Sequence, residues 1–255
     1  MSNDKSNLPI DRIIHNCEER KKKRLFHGSL EVVSRPQFGL GSSKNDFGKG
    51  FYCTEIEYLA KEWAVQSLDK SGYCNEYLFD MSGLVVLDLT QPKYNLLNWL
   101  ALLYKYRDFA THSYDAKENM KYLQENFAVD ISSCDVIIGY RADDSYFTWA
   151  KEFIEDQITY ELLKRAMMYG GLGNQIVLVS QRAFSKIEFV KSTEVDRSFF
   201  YQRNARAIKA DKRYFREKEE TPKSDDELTA SKIRKGGLKN EDFCVSRDVQ
   251  GYCGR

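Results

Sequence analysis

Two short stretches hold the residues best suited to chemistry: Leu25-Phe26-His27-Gly28-Ser29 and, about twenty residues later, Asp46-Phe47-Gly48-Lys49-Gly50-Phe51-Tyr52-Cys53-Thr54. An imidazole at a strand end offers a donor and an acceptor to a ligand hydroxyl, and a neighbouring glycine lets a peptide N–H and C=O meet a flat amide edge-on. A tyrosine face attracts a flat, positively charged ring by dispersion and by cation–π interaction. His27, Gly28 and Tyr52 are the residues so assigned, with Gly48 and Gly50 clearing space for a ligand and Ser29 and Thr54 beside them. Taken singly, each has a plainer role: His27 satisfied at a strand end, Tyr52 in the core, Thr54 as a helix N-cap. The order and spacing of the two stretches favour the binding slot.

Other chemistries fail on context. Gly39-Leu40-Gly41 begins a G-x-G pattern, but no strand leads into it and no third glycine opens a helix; a P-loop motif is also missing from the chain. The three histidines, His15, His27 and His112, are scattered, and there is no H-E-x-x-H, so no metal centre is expected. The six cysteines (Cys17, Cys53, Cys74, Cys134, Cys244 and Cys253) form no C-x-x-C pair and read as free thiols of a reducing compartment.

The two stretches resemble the first two motifs of ADP-ribosyltransferases of the histidine–tyrosine–glutamate type, the group that contains diphtheria toxin and the poly(ADP-ribose) polymerases. The resemblance implies that His27, Gly28 and Tyr52 form the slot for the nicotinamide end of NAD+, which is a co-substrate, with no metal. The third motif of that family is a strand opening with glutamate. Gly173-Asn174-Gln175-Ile176-Val177-Leu178-Val179 has its form, with Gln175 at the glutamate position. Glutamine still accepts a ribose hydroxyl but lacks charge, and charge-assisted hydrogen bonds are roughly twice as strong as neutral ones. Chain elongation is therefore disfavoured, whereas mono-ADP-ribosylation stays open, as does a binding module without catalysis. The catalytic set implied is His27, Tyr52 and Gln175. Arg141 is assigned to a phosphate, and Asp143 or Asp144 to orienting an acceptor, although a turn and helix cap explain the two aspartates as well. The span from Leu25 to about Val190 is similar to bacterial toxin-like proteins of this group, which often pair with a small antitoxin protein.

These residues need elements to hold them. Leu25 to Ser29 reads as a short strand that breaks at glycine, and a loop rich in Gly, Ser and Asn runs on to Asn45. Thr54-Glu55-Ile56-Glu57 has the form of a capping box, with Leu59, Ala60, Trp63, Ala64 and Leu68 at helical spacing, so a helix is expected from about Glu55 to Ser67. Glu76–Asp80 and Leu84–Leu89 read as two strands forming a hairpin or one bent strand. Helices are expected over Asn95–Tyr106 and Met120–Phe127, a buried strand over Ser133–Tyr140, two helices over 146–168 split near Thr159, and strands over Gln175–Ser180 and Ile187–Val190. This mixture predicts an α+β fold, and the resemblance refines it to the split antiparallel sheets of ADP-ribosyltransferases, flanked by helices, with a helical insertion at about 141–170.

The chain divides into a polar arm (1–20), the transferase-like domain (21–195) and a charged extension (196–255) in which partial order and a linker at 219–226 are expected. A balance of 39 Lys+Arg against 38 Asp+Glu, formally +1, gives no global field for nucleic acid or an anionic membrane. With no signal-like or membrane-spanning apolar run, the expectation is a cytoplasmic protein without a membrane partner. The acceptor is a macromolecule, protein or RNA/DNA, or else water, as in an NAD glycohydrolase. Arg203–Arg216 mixes cations with aromatics, as a nucleic-acid surface does, but a solvated helix accounts for it better.

Overall fold

A strand that pairs along both edges loses solvent on both sides, and the residues of the first sheet follow that rule. The computed structural model describes residues 22–142, 144–221 and 226–243. In it β1 (Lys22–Ser29), β3 (Gly72–Asp80) and β7 (Ile187–Val195) form an antiparallel sheet with β3 in the middle. Glu76 of β3 is buried there, and its carboxylate is met from both neighbouring strands, by Arg24 at 3.3 Å and Lys191 at 3.7 Å.

A second sheet has the order β2 (Phe51–Cys53), β6 (Asn174–Leu178), β5 (Val136–Tyr140) and β4 (Val86–Asp88). Only the β4–β5 pairing is parallel. The two sheets pack through Leu25, Cys53, Phe79, Val136, Ile176 and Leu178. Helix α1 (Glu57–Ala64) covers the other side of the first sheet, where Ala60 and Ala64 meet Phe26, Cys74 and Val195. The second sheet is backed by α2 (Leu96–Tyr106), α3 (Tyr114–Asn126), α4 (Asp144–Ile154) and α5 (Tyr160–Ala166), which enclose the largest core cluster. A short α6 (Gln181–Phe184) links β6 to β7.

Local chemistry accounts for several boundaries. The Asn95 side chain accepts from Leu97 N and the Asn98 side chain accepts from Asn95 N, a capping box that starts the nearly all-buried α2. Thr159 caps α5 through its hydroxyl, which accepts from Leu162 N and fixes the split expected there.

The chain is α+β with two mostly antiparallel sheets, as expected, and four expectations change. Glu76–Asp80 and Leu84–Leu89 are neither a hairpin nor one bent strand: their strands enter different sheets, because a turn signal at Met81-Ser82-Gly83 says nothing about which partner comes next. Phe51–Cys53 is a strand, too short for its pattern to register. Helix α1 starts at Glu57 behind Ile56 with no side-chain cap, since Thr54 is held in a β-bridge with Phe26. The charged extension is ordered over α7 (Ser198–Glu220), and with α8 (Ala230–Lys235) it closes the helical core by burying Ala210, Tyr214, Ala230 and Ile233. Ala210 and Tyr214 sit four residues apart on one face, a sparse stripe that the surrounding charges mask. The expected arm at 1–20, Asp143, residues 222–225 of the expected linker, and Cys17, Cys244 and Cys253 lie outside the described residues, while the first two linker residues, Glu219 and Glu220, end α7. No helix among the described residues is long and apolar enough to cross a membrane.

Candidate functional site

Beside the side-chain packing, one backbone bridge joins the two sheets among the described residues: Phe26 and Thr54 exchange hydrogen bonds of 2.8 and 2.9 Å. Just past that bridge, the His27 ring reaches the Tyr52 carbonyl, 2.8 Å from Nδ1. A carbonyl can only accept, so Nδ1 carries the proton, and in the neutral ring Nε2 keeps a lone pair for a ligand hydroxyl. Desolvation pulls the imidazole below its ordinary pKa, outweighing the opposing effect of the Tyr52 carbonyl, and so favours that neutral form.

Tyr52 belongs to a closed loop. Its hydroxyl donates to the Gly48 carbonyl at 2.7 Å and accepts from Phe47 N at 3.0 Å. Burial pushes this phenol well above its usual range, so it stays protonated and serves as a clamp. What it offers a ligand is its ring. Gly48 turns the loop at φ +75°, a conformation that disfavours any side chain, and a Cβ there would stand 2.9 Å from the Tyr106 ring. Gly28 meets a different constraint: a Cβ would lie 1.9 Å from the Ala60 carbonyl oxygen, so α1 packs on β1 only over a glycine.

Gln175, the first inward residue of β6, is buried, and its Nε2 donates to Asp46 Oδ2 at 2.9 Å and to the Tyr140 carbonyl at 2.8 Å. Asp46 also accepts from Ala142 N at 3.2 Å, and Arg107 Nε lies 3.7 Å from its other oxygen. Burial raises the Asp46 carboxyl above the usual carboxylate range, against the lowering effects of the Gln175 and Ala142 hydrogen bonds and of Arg107 and Arg141. Arg141 is buried with its guanidinium 4.1 Å from the centre of the Trp63 ring, and Arg203 approaches the same ring at 5.1 Å.

His27, Asp46, Tyr52, Trp63, Arg107, Arg141 and Gln175 line one cavity of about 700 Å³, within the ~300–1,000 Å³ range usual for small-molecule sites. It brings together His27, Gly28, Gly50, Tyr52, Thr54, Arg141 and Gln175 of the expected set. Ser29 and Gly48 are not on its wall. The Ser29 hydroxyl donates to the Glu31 carbonyl and accepts from Asn75, a fully buried residue of β3 whose side chain also accepts from Val33 N. Asn75 thereby fixes the loop that forms one cavity wall. Gly50 does line the cavity, yet its bareness is required by Val177 of β6, 2.5 Å from where a Cβ would be. Among the described residues no group of three or more His, Cys, Asp or Glu is placed to hold a metal ion.

Three wall residues escaped the sequence reading. Asp46 opens the glycine stretch and bore a signal, an acid directly before the motif, but its partner lies on a distant strand. Trp63 reads as one more apolar position of α1, and Arg107, at the end of α2, carries no pattern at all.

The chain belongs to the family described as protein of unknown function (DUF3990), whose model matches residues 23–189. That span takes in nearly all of β1 through the start of β7 and the whole cavity wall, while α7 and α8 fall beyond it. No curated protein and no solved structure matches the chain.

Proposed function

Taking a family defined by sequence rather than by activity as the premise, we propose that this chain is a mono-ADP-ribosyltransferase with the split-sheet fold of the histidine–tyrosine–glutamate group. It cleaves NAD+ at the nicotinamide bond and transfers ADP-ribose to a macromolecular acceptor, protein or nucleic acid. One observation carries the reading: His27, Tyr52 and Gln175, matched to three separate motifs, come from three different strands and line the same cavity.

The residues fit the substrate by their chemistry. The neutral His27 ring and the Gln175 amide supply acceptors for ribose hydroxyls, and the Tyr52 face suits a cationic pyridinium. As the bond from the ribose C1′ to nicotinamide breaks, its electron pair goes to the ring nitrogen, so nicotinamide leaves neutral and positive charge develops on the ribosyl group. The acceptor's nucleophile then bonds to C1′ and releases its proton to solvent. Arg141, buried beside Trp63, is the cation assigned to the phosphates. In the cell, the reading is of a cytoplasmic toxin or phage-defence effector held in check by a small antitoxin protein.

Purified protein incubated with NAD+ should release nicotinamide, and His27→Ala and Tyr52→Ala should each abolish the release. ADP-ribose found on protein or nucleic acid identifies the acceptor class, and free ADP-ribose alone identifies a glycohydrolase. Glutamine at the glutamate position favours one competing reading, a binding module; calorimetric binding of NAD+ with no nicotinamide release would establish it against the enzyme.

A further inference from the structure

We infer that the negative charge missing from the glutamate position is supplied by Asp46, acting through the Gln175 amide. This inference rests on the transferase reading and names the residue that makes a glutamine workable there.

The hydrogen bonds fix the orientation of the amide. Asp46 Oδ2 and the Tyr140 carbonyl can only accept, so both protons of Gln175 Nε2 are taken, at 2.9 and 2.8 Å. Oε1 is the atom left to meet a ligand. A carboxylate accepting from one end of an amide polarises it, and in a low-dielectric setting Oε1 becomes a stronger acceptor for a ribose hydroxyl than an isolated amide would be. Asp46 lines the same cavity. The carboxylate is supported by the Ala142 N–H and faced by Arg107 and Arg141.

The same geometry explains the amino acid at position 175. A glutamate would aim an oxygen at the Asp46 carboxylate and at a carbonyl, and one acid of the pair would have to stay protonated. Acid and amide have in effect exchanged places: the acid sits on the loop before β2 and the amide on β6. Because Asp46 works through another side chain, it is a positioning residue.

The pair predicts its own repair. In Asp46→Asn with Gln175→Glu the two acids no longer face each other: an amide nitrogen at the Oδ2 position can donate to the new carboxylate, at the cost of the Ala142 N–H bond that the same oxygen accepts in the wild type, while the Tyr140 carbonyl keeps Trp99 Nε1 as its donor at 3.0 Å. Wild type, both single variants and the double variant should be compared by nicotinamide release under saturating NAD+, by KM, by calorimetric binding of NAD+ and by melting temperature. Asp46→Asn should lower kcat roughly ten- to hundredfold, the size of one charge-assisted contact, with KM changed less than about threefold. Gln175→Glu should lose activity and melt earlier, and the double variant should regain part of both. The inference is overturned if Asp46→Asn keeps wild-type kcat, or if the double variant is no better than Gln175→Glu in activity and melting temperature. A wild type that binds NAD+ without releasing nicotinamide overturns the transferase reading, and with it the positioning role of Asp46; the melting temperatures still report separately on whether acid and amide are paired.

Discussion

The cavity wall and the helical layer behind the second sheet both exclude water, but among the described residues the cavity wall buries charged side chains, whereas the layer buries rings beside neutral polar groups such as Asn98 and Asn119. Asp46, Thr54, Arg141 and Gln175 are buried at the cavity, each held by hydrogen bonds or by an aromatic face. The helical layer buries rings: Tyr146 and Trp149 lie 4.8 Å apart between centroids, and Trp149 and Tyr214 5.1 Å. Burying a polar group costs free energy that its partners only partly restore, whereas burying rings is favourable outright. Stability should therefore reside in the helical layer and ligand recognition in the cavity wall.

The largest effect tests the helical side. Trp149→Ala should lower unfolding free energy by about 3–5 kcal/mol, read from denaturant midpoints. A loss below about 1 kcal/mol would remove the contrast between the two regions. Next comes the joint that ties α7 to α1, where Arg206 donates to the Glu62 carboxylate at 2.7 Å and to the Gly170 carbonyl at 3.0 Å. Glu62 is almost fully buried, so Arg206→Ala leaves a carboxylate without its cation and should cost about 3 kcal/mol. If it costs nothing, the extension merely rests on the domain.

The smallest effect separates two titrating groups within the cavity. His27 binds its proton less readily folded than unfolded, so the stability it contributes is present above the ordinary histidine value of 6.5 and is lost as pH falls through and below it. Asp46 has the opposite sign. Its folded carboxyl keeps a proton in a window above the usual carboxylate range, where the unfolded chain has already lost it, so its contribution declines as pH rises through that window. Urea midpoints should fall on acidification less steeply in His27→Gln, and more steeply in Asp46→Asn, than in wild type. Slopes changed the other way would mean that burial does not govern either group.

Local pattern made part of this molecule legible. The leucine run of α2, the strand at Val136–Tyr140 and the split at Thr159 follow from periodicity and capping, both short-range effects. The two stretches were legible as a candidate site, and His27, Tyr52 and Thr54 do reach a common cavity, but Gly28 and Gly50 turn out to be required by α1 and β6 as packing surfaces. Strand partners were not legible, because a turn sets where a strand ends without choosing its neighbour. Nor was the packing of α7, since the two residues that bury it are diluted among charges.

Residue order alone determined the α+β character, the spacing of the stretches that hold His27, Tyr52 and Gln175, and the glutamine at position 175, because these depend on residue identity and local periodicity. Only the tertiary structure decided that an acid stands beside that glutamine. Asp46 and Gln175 are 129 residues apart, and a hydrogen bond between them leaves no trace in any short window, since the folding of two strands and a loop brings them within 2.9 Å.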